Sequence, residues 1–149
     1  MAMIALGCDH GGFALMAEIK KHLQEKNISI RDFGVDRPVA VDYPDVAVPV
    51  ARAVAKGECE KGILVCGTGI GMCIAANKVT GVRAAVCSDG FSAKYTRLHN
   101  DANILCLGGR VVGPGLALAL VDLFLQTEFE GGRHTARLDK IRELEQSDR

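Results

Sequence analysis

Five short apolar runs, each followed by a turn and a stretch with helical periodicity, constrain the fold of this chain more than any other feature. The runs are rich in β-branched and small apolar residues, which is typical of buried strands. They lie at Met3–Cys8, Ile28–Asp32, Gly62–Val65, Arg83–Cys87 and Ile104–Leu107. A sequence built from repeated strand-then-helix units favours a parallel sheet, because parallel neighbours need crossover connections.

The segments between these runs carry the apolar spacing of helices. Pro44 and Pro114 suit the first turns of two of them, where the missing N–H of proline has no helical partner. The predicted helices are Phe13–Glu25, Pro44–Lys56, Gly71–Lys78, Phe91–Leu98, Pro114–Gln126 and Thr135–Gln146. We therefore expect an α/β fold, a Rossmann-like three-layer sandwich in which helices cover both faces of a five-stranded parallel sheet.

Length and charge limit the classes of protein to which the chain can belong. Its 149 residues suit a single domain over residues 1–149, and its 18 basic residues balance its 18 acidic ones. This balance gives no electrostatic support for binding nucleic acid or a membrane surface. Neither a signal peptide nor a transmembrane segment is indicated. We expect a soluble cytoplasmic protein with no nucleic-acid or membrane partner.

The six cysteines are scattered, without a Cys-x-x-Cys pair. That spacing argues against a zinc site and against a disulfide framework, so no metal site is expected and the thiols should be reduced. Cys8, Cys87 and Cys106 lie in or at the end of apolar runs, where cysteine usually serves as a small hydrophobic residue.

Cys66 differs from these cysteines because a loop with glycine at every second position follows it, Cys66-Gly67-Thr68-Gly69-Ile70-Gly71. Such glycines let consecutive backbone N–H groups point into one concavity, and a following helix would add its N-terminal dipole. A thiolate or an oxyanion would be stabilised there. A nucleotide is disfavoured, because Gly71-Met72-Cys73 does not match a Walker A loop and the glycine spacing is not the dinucleotide fingerprint.

Ligands of parallel sheets bind beyond the carboxyl ends of the strands. The expected polar loops at that edge are Asp9-His10-Gly11-Gly12, Cys66 to Gly71, Ser88-Asp89-Gly90 and Gly108-Gly109-Arg110, and three of the four contain pairs or triplets of glycines. His99 and Asn100 end a predicted helix before a strand, which places them at the opposite edge. They either have no part in the site or reach the site of a neighbouring subunit, most simply in a two-fold dimer.

Seven motifs in order resemble those of type B ribose-5-phosphate isomerases, a family that also holds the galactose-6-phosphate isomerase subunits. The resemblance covers nearly the whole chain. The motifs are Gly7-Cys8-Asp9-His10-Gly11-Gly12, Asp42-Tyr43-Pro44, Cys66-Gly67-Thr68-Gly69-Ile70-Gly71, Ala75-Ala76-Asn77-Lys78, Arg97-Leu98-His99-Asn100-Asp101, Gly109-Arg110-Val111-Val112-Gly113, and Glu130-Gly131-Gly132-Arg133-His134 leading to Arg137. The resemblance implies a cofactor-free, metal-independent isomerase of the pentose phosphate pathway that interconverts ribose 5-phosphate and ribulose 5-phosphate. It also implies a homodimer with active sites shared across the interface, which could pair into a dimer of dimers.

The same resemblance implies roles for residues at matching positions. Cys66 is the base that acts through an enediolate, Thr68 assists as a hydroxyl partner, and His99 opens the furanose ring. Some members have a glutamate base where this chain has Met72, so the cysteine subgroup is indicated. The implied substrate-binding residues are Asp9 and Asn100 for sugar oxygens, His10, Arg133 and Arg137 for the phosphate, Arg110 for a further contact, and Gly67, Gly69, Ile70 and Gly71 for the charge of the intermediate.

Several alternatives stay open at this point. Cys66 could be a packing residue without a chemical role, and His99 could serve only to interact with the end of a helix. Arg133 and Arg137, four residues apart on one helix face, could be solvated charges. Galactose 6-phosphate or allose 6-phosphate could be the substrate, and the chain could be a non-catalytic phosphosugar-binding protein. A thiol hydrolase with Cys66 as nucleophile and His10 or His99 as partner is a further possibility.

Overall fold

A computed structural model describes residues 2–34 and 37–147 of the chain. Its five strands are β1 (Met3–Cys8), β2 (Ser29–Asp32), β3 (Lys61–Cys66), β4 (Ala84–Val86) and β5 (Ile104–Gly108). They form one sheet in the order β2-β1-β3-β5-β4, and every neighbouring pair is parallel. The predicted five-stranded parallel sheet is therefore confirmed, with β4 shorter than the apolar run suggested.

Six α-helices within the described residues connect and follow these strands. They are α1 (Phe13–Glu25), α2 (Tyr43–Ala55), α3 (Ile70–Asn77), α4 (Gly90–Asn100), α5 (Pro114–Gln126) and α6 (Arg133–Ser147). Pro44 and Pro114 lie in the first turns of α2 and α5, as predicted. Helix α6 begins at Arg133, two residues before the predicted start, so Arg133 and Arg137 are both helical and one turn apart. No helix within residues 2–34 and 37–147 combines the length and apolar character needed to cross a bilayer.

Two apolar clusters cover the two faces of the sheet, which confirms the three-layer arrangement. Side chains of α1 and α5 pack with Leu6 and Leu107 on one face. Side chains of α2 and α3 pack with Leu64 and Cys66 on the other face. Because successive strand residues point to opposite faces, the side chain of Cys66 lies under α2 and α3.

The register of the strands brings the chemically interesting loops to one edge. Cys8 pairs with Val65 across β1 and β3, and Cys66 pairs with Gly108 across β3 and β5. The three central strands thus end almost level with one another. The loops that follow Cys8, Cys66 and Gly108 therefore start side by side at the carboxyl edge of the sheet.

Candidate active site

Backbone hydrogen bonds join three loops at the carboxyl edge, namely residues 9–12, 66–71 and 108–110. The amide of Asp9 donates to the carbonyl of Val65 over 3.3 Å, and the amide of Gly109 donates to the carbonyl of Cys66 over 2.7 Å. The amide of Arg110 donates to the carbonyl of Gly67 over 3.0 Å. The loop after β4 serves the fold instead, since the Asp89 carboxylate caps α4 by accepting from the amide of Ser92 over 2.7 Å.

Two glycines allow these loops to approach so closely. A Cβ on Gly109 would lie 2.5 Å from the carbonyl oxygen of Gly11, and one on Gly12 would lie 2.6 Å from the carbonyl carbon of Val65. Both contacts are with backbone rather than with a flexible side chain. The loops could not keep their spacing if either residue carried a side chain.

We predict that Gly12→Ala lowers the free energy of unfolding by about 1–3 kcal/mol, because the methyl group overpacks against β3. The φ of Gly12 is −106°, which alanine adopts without strain, so the contact alone is responsible. Gly115→Ala is the matched control, since nothing lies within 4 Å of that Cβ and the position is helical. The control should raise stability by up to ~1 kcal/mol. Urea denaturation of the three proteins measures the difference, and equal stability of the two variants would contradict the prediction.

Cys66 lies at the centre of the joined loops and is 5% exposed. The amide of Gly69 donates a hydrogen bond to its Sγ over 3.1 Å. The φ of Gly69 is +82°, a left-handed conformation that favours glycine, at the point where the chain leaves the loop and enters α3. The thiol is therefore held in a defined position at the carboxyl end of β3, directly before α3.

Some of the backbone N–H groups of the glycine loop donate hydrogen bonds to side chains of the same loop. Besides the bond from Gly69, the amide of Ile70 donates to Oγ1 of Thr68 over 3.2 Å. Within the described residues, the amides of Gly67 and Thr68 donate no hydrogen bond to the protein. The first-turn amides of a helix also lack acceptors in the helix itself. The predicted concavity is thus smaller than the glycine pattern suggested, but it keeps donors for an anionic ligand.

Charged residues surround this loop. Asp9 is 8% exposed, and its Oδ1 accepts from the amide of Gly12 over 3.1 Å. The exposed His10 follows it at the start of a 3₁₀ turn, His10–Gly12. The guanidinium of Arg110 lies over Gly67, because a Cβ built on that glycine would be 3.6 Å from Nη1. Asp9, His10, residues 66–71 and Arg110 therefore come together, as the sequence predicted.

The structure adds Tyr43 to this group, a residue to which sequence analysis assigned no role. Its ring lies against Gly71, where an added Cβ would be 2.7 Å from the ring. The side chain remains 41% exposed at the start of α2. The only signal in the sequence was its place in the motif Asp42-Tyr43-Pro44, which says nothing about its contact with the glycine loop.

The remaining predicted residues form a second group at the other end of α4. His99 and Asn100 end this helix, so they lie roughly 15 Å along its axis from the carboxyl edge. The amide of Glu130 donates to the carbonyl of Leu98 over 3.0 Å, which ties the segment before α6 to this end of α4. Arg133 and Arg137 are exposed on α6 nearby. Within one subunit, these four residues lie apart from Cys66.

The ring of His99 has well-defined neighbours. It stacks on the ring of His134 with centroids 4.1 Å apart, and the ring of Tyr95 meets it edge-on at 5.0 Å. His134 is buried, and this burial lowers the pKa of its ring, which is therefore neutral at pH 7. Sequence analysis of the Glu130–His134 motif did not predict this stack, because it joins residues of two different helices.

Exposed apolar side chains connect the two groups along the outer strand β4. Ile70, Ile74, Val86 and Phe91 are 53%, 57%, 43% and 71% exposed. A groove from Val86 past Phe91 to His99 follows α4. Exposed apolar surfaces that extend over several side chains are common at sites of association.

A second thiol on the Cys66 side of the sheet is chemically distinctive. The Cys106 thiol hydrogen-bonds to Cys73, and this bond, together with one from Asn77, lowers the pKa of Cys73 to about 7. Burial raises the pKa of Cys87 to about 11. Cys8, Cys87 and Cys106 are buried, as predicted for packing cysteines.

We predict that iodoacetamide modifies Cys73 with a midpoint near pH 7, because the reactive thiolate is already abundant there. Reaction rates between pH 5 and pH 9, measured by peptide mass in a Cys66→Ala background, report this thiol without interference from Cys66. Cys87 is the internal control and should react slowly over the whole range. A Cys73 midpoint at the ordinary thiol value of 9.0 would refute the prediction.

Comparison with known proteins extends these observations over the whole chain. A family profile described as Ribose/Galactose Isomerase matches residues 4–141. The chain is 51% identical over 146 residues to ribose-5-phosphate isomerase B of Escherichia coli, covering 98% of both proteins. It is 44% identical over 145 residues to a D-erythrulose-4-phosphate isomerase of Pectobacterium atrosepticum, covering 95% of this chain and 93% of that protein.

A solved structure matches this chain over nearly its full length. Ribose-5-phosphate isomerase B of Clostridium thermocellum superposes with a TM-score of 0.97 at 52% sequence identity, covering 99% of both chains. The matches in sequence and in structure run along nearly the full length of each protein, so they bear on the entire chain rather than on one motif.

Proposed function

Because the chain belongs to the ribose/galactose isomerase family and is a sugar-phosphate isomerase, we propose that it interconverts D-ribose 5-phosphate and D-ribulose 5-phosphate. One observation supports the proposal at the level of individual residues. Cys66, whose thiol can exchange a proton, lies where three loops are hydrogen-bonded together at the carboxyl edge of the sheet. The family membership inferred from the seven motifs is confirmed, and a non-catalytic protein or a thiol hydrolase is no longer favoured.

Cys66 acts in this proposal as the base. It removes the proton from the second carbon of the aldose and returns it to the first carbon, while one oxygen gains a proton and the other loses one. A positioned base contributes roughly 10²- to 10⁴-fold to such a step. The free amides of Gly67 and Thr68 and the start of α3 stabilise the enediolate, and the Thr68 hydroxyl assists.

The other residues bind and orient the sugar phosphate. Asp9 and Asn100 hold sugar hydroxyls, and Arg110 makes a further contact from its place over Gly67. His10, Arg133 and Arg137 bind the phosphate, for which two arginines one helical turn apart are well suited. The phosphate takes no part in the proton transfer, so its binding serves to position the reacting carbons.

We propose that each active site is shared between two subunits of a homodimer. His99 opens the ring of the sugar, yet it lies at the far end of α4 from Cys66 of its own chain. The exposed apolar side chains of Ile70, Val86 and Phe91 lie between the two groups of residues and would be covered by a partner. A two-fold arrangement across this surface brings His99 of one chain to Cys66 of the other.

The reaction is proposed to need no metal or cofactor, and the single domain is proposed to act in the cytoplasm. The test is to incubate protein treated with a chelator with ribose 5-phosphate and to follow ketose formation. Parallel reactions contain galactose 6-phosphate and allose 6-phosphate, followed in the same way, and D-erythrulose 4-phosphate, which is itself a ketose and is followed by aldose formation. The four-carbon substrate is included because a relative at 44% identity is named for it.

We expect the pentose phosphate to be converted fastest. Preferential conversion of the four-carbon or of a six-carbon phosphate would replace the proposed substrate but keep the reaction type. Activity that appears only when a divalent metal is added back would contradict the proposed metal independence.

A further inference from the structure

Three potential metal ligands converge where the segment before α6 meets the end of α4. Nε2 of His99 lies 3.8 Å from Oε2 of Glu130, and Nε2 of His134 lies 3.9 Å from Oε1 of the same carboxylate. The three ligand atoms are all within 4.8 Å of one another. This cluster, His99–Glu130–His134, contains two imidazoles and one carboxylate, one ligand from the end of α4 and two from the segment where α6 begins.

His134 provides an independent reason to expect a ligand here. The whole residue is only 3% exposed. Its Nε2 is buried and has no hydrogen-bond partner among the described residues. A buried nitrogen left unsatisfied is costly. It faces the Glu130 carboxylate at a distance too long for a hydrogen bond but suitable for an ion between the two groups.

We propose that the His99–Glu130–His134 cluster binds a divalent transition-metal ion of the Zn²⁺ type. Bonds of about 2.0–2.2 Å from zinc to imidazole nitrogen and to carboxylate oxygen place tetrahedral ligand atoms roughly 3.4 Å apart. The observed nitrogen–oxygen separations are 3.8 and 3.9 Å, so the exposed Glu130 carboxylate and the His99 ring must each close by roughly half an ångström on binding. The two rings are stacked within 14° of parallel, so their lone pairs do not converge, and His99, which is partly exposed, must turn out of the stack for both nitrogens to meet one ion.

The donor set determines which ions fit. Two imidazoles with one carboxylate suit zinc, nickel, cobalt or copper rather than magnesium or calcium, which prefer oxygen ligands. Glu130 is more than half exposed, so an ion can enter from solvent on that side. Three protein ligands leave a coordination position for water.

The bound ion would act as a reversible inhibitor, and this part of the inference rests on the proposed function. If His99 opens the sugar ring, an ion that coordinates its Nε2 removes the nitrogen needed for proton exchange with the ring oxygen. Binding itself does not depend on that role, so the site and its effect on catalysis can be tested separately.

The direct test is titration of chelator-treated protein with Co²⁺ and Zn²⁺ by calorimetry, with the absorption spectrum of the cobalt form as a second measurement. We expect saturable micromolar binding at one site per chain, with cobalt absorption that lacks the near-ultraviolet thiolate band. Glu130→Gln and His134→Gln should each weaken binding by about 10- to 100-fold or more. His22→Gln, which changes a histidine paired with Asp122 on α5 and outside the cluster, is the control and should bind as the original protein does.

Thermal melting and circular dichroism show whether each variant is folded. Because Glu130 is exposed, Glu130→Gln should fold and test the site even if the variant of the buried His134 is unstable. Unchanged affinity in folded Glu130→Gln, a thiolate band in the cobalt spectrum, or absence of saturable binding would each overturn the metal site. Zn²⁺ should also slow conversion of ribose 5-phosphate by the original protein and by His22→Gln, and less so by Glu130→Gln. Binding without slower conversion would overturn the inhibition alone.

Discussion

Cys66→Ala is expected to lower turnover of ribose 5-phosphate by roughly 10²- to 10⁴-fold, because the proposed base is removed. Binding of the sugar phosphate should be nearly unchanged, since the arginines and the histidine proposed to hold the phosphate remain. Steady-state kinetics and calorimetric titration with substrate measure the two quantities. The variant should also fail to exchange the transferred proton with deuterium from solvent.

Cys73→Ala is the matched control for this experiment. Its thiol lies on the same side of the sheet as Cys66 and has a pKa of about 7, so it is the other cysteine with the chemistry of a base. Cys73→Ala should retain turnover within a few-fold of the original protein. Near-normal turnover by Cys66→Ala, or a large loss only in Cys73→Ala, would rule out Cys66 as the base.

Mixed dimers should reveal whether the active site is shared. Cys66→Ala and His99→Asn are each expected to be almost inactive when assembled alone. After random mixing, half of the dimers contain one chain of each kind. In such a dimer, one site combines an intact Cys66 with an intact His99, so activity should recover to about a quarter of the original value.

The same experiment distinguishes the alternative geometry. If each site were built within one chain, every site in the mixture would lack either Cys66 or His99, and no activity would return. Differently tagged chains and native mass spectrometry establish that mixed dimers form. Formation of mixed dimers without recovery would exclude the shared site and would leave His99 with a role only in its own chain.

The local pattern of the chain was enough to predict most of the architecture. Strand and helix periodicity depends on neighbouring residues, so all five strands and all six helices could be located within a few residues of their observed ends. The parallel sheet followed from strict alternation of the elements. That rule in turn put residues 9–12, 66–71 and 108–110 at one edge, which the register confirms.

Other features arise from contacts between residues far apart in sequence, and no local pattern specifies them. The order of the strands, the contact of Gly12 with Val65 and the ring of Tyr43 on Gly71 all depend on how whole elements pack. The hydrogen bond from Gly69 to Cys66 depends on the path of the loop between β3 and α3, which its glycines permit but do not require. Sequence could therefore suggest a reactive thiol without showing how it is held.

The sequence by itself determined the element types, the parallel sheet, the family, most of the residues that meet at the carboxyl edge and the place of His99 at the opposite edge, because periodicity and motifs are properties of neighbouring positions. Only the tertiary structure decided how those residues are arranged. It laid the ring of Tyr43 against Gly71 and stacked His99 on His134 beside Glu130. The physical reason is that packing between distant helices and strands, rather than local preference, sets these distances.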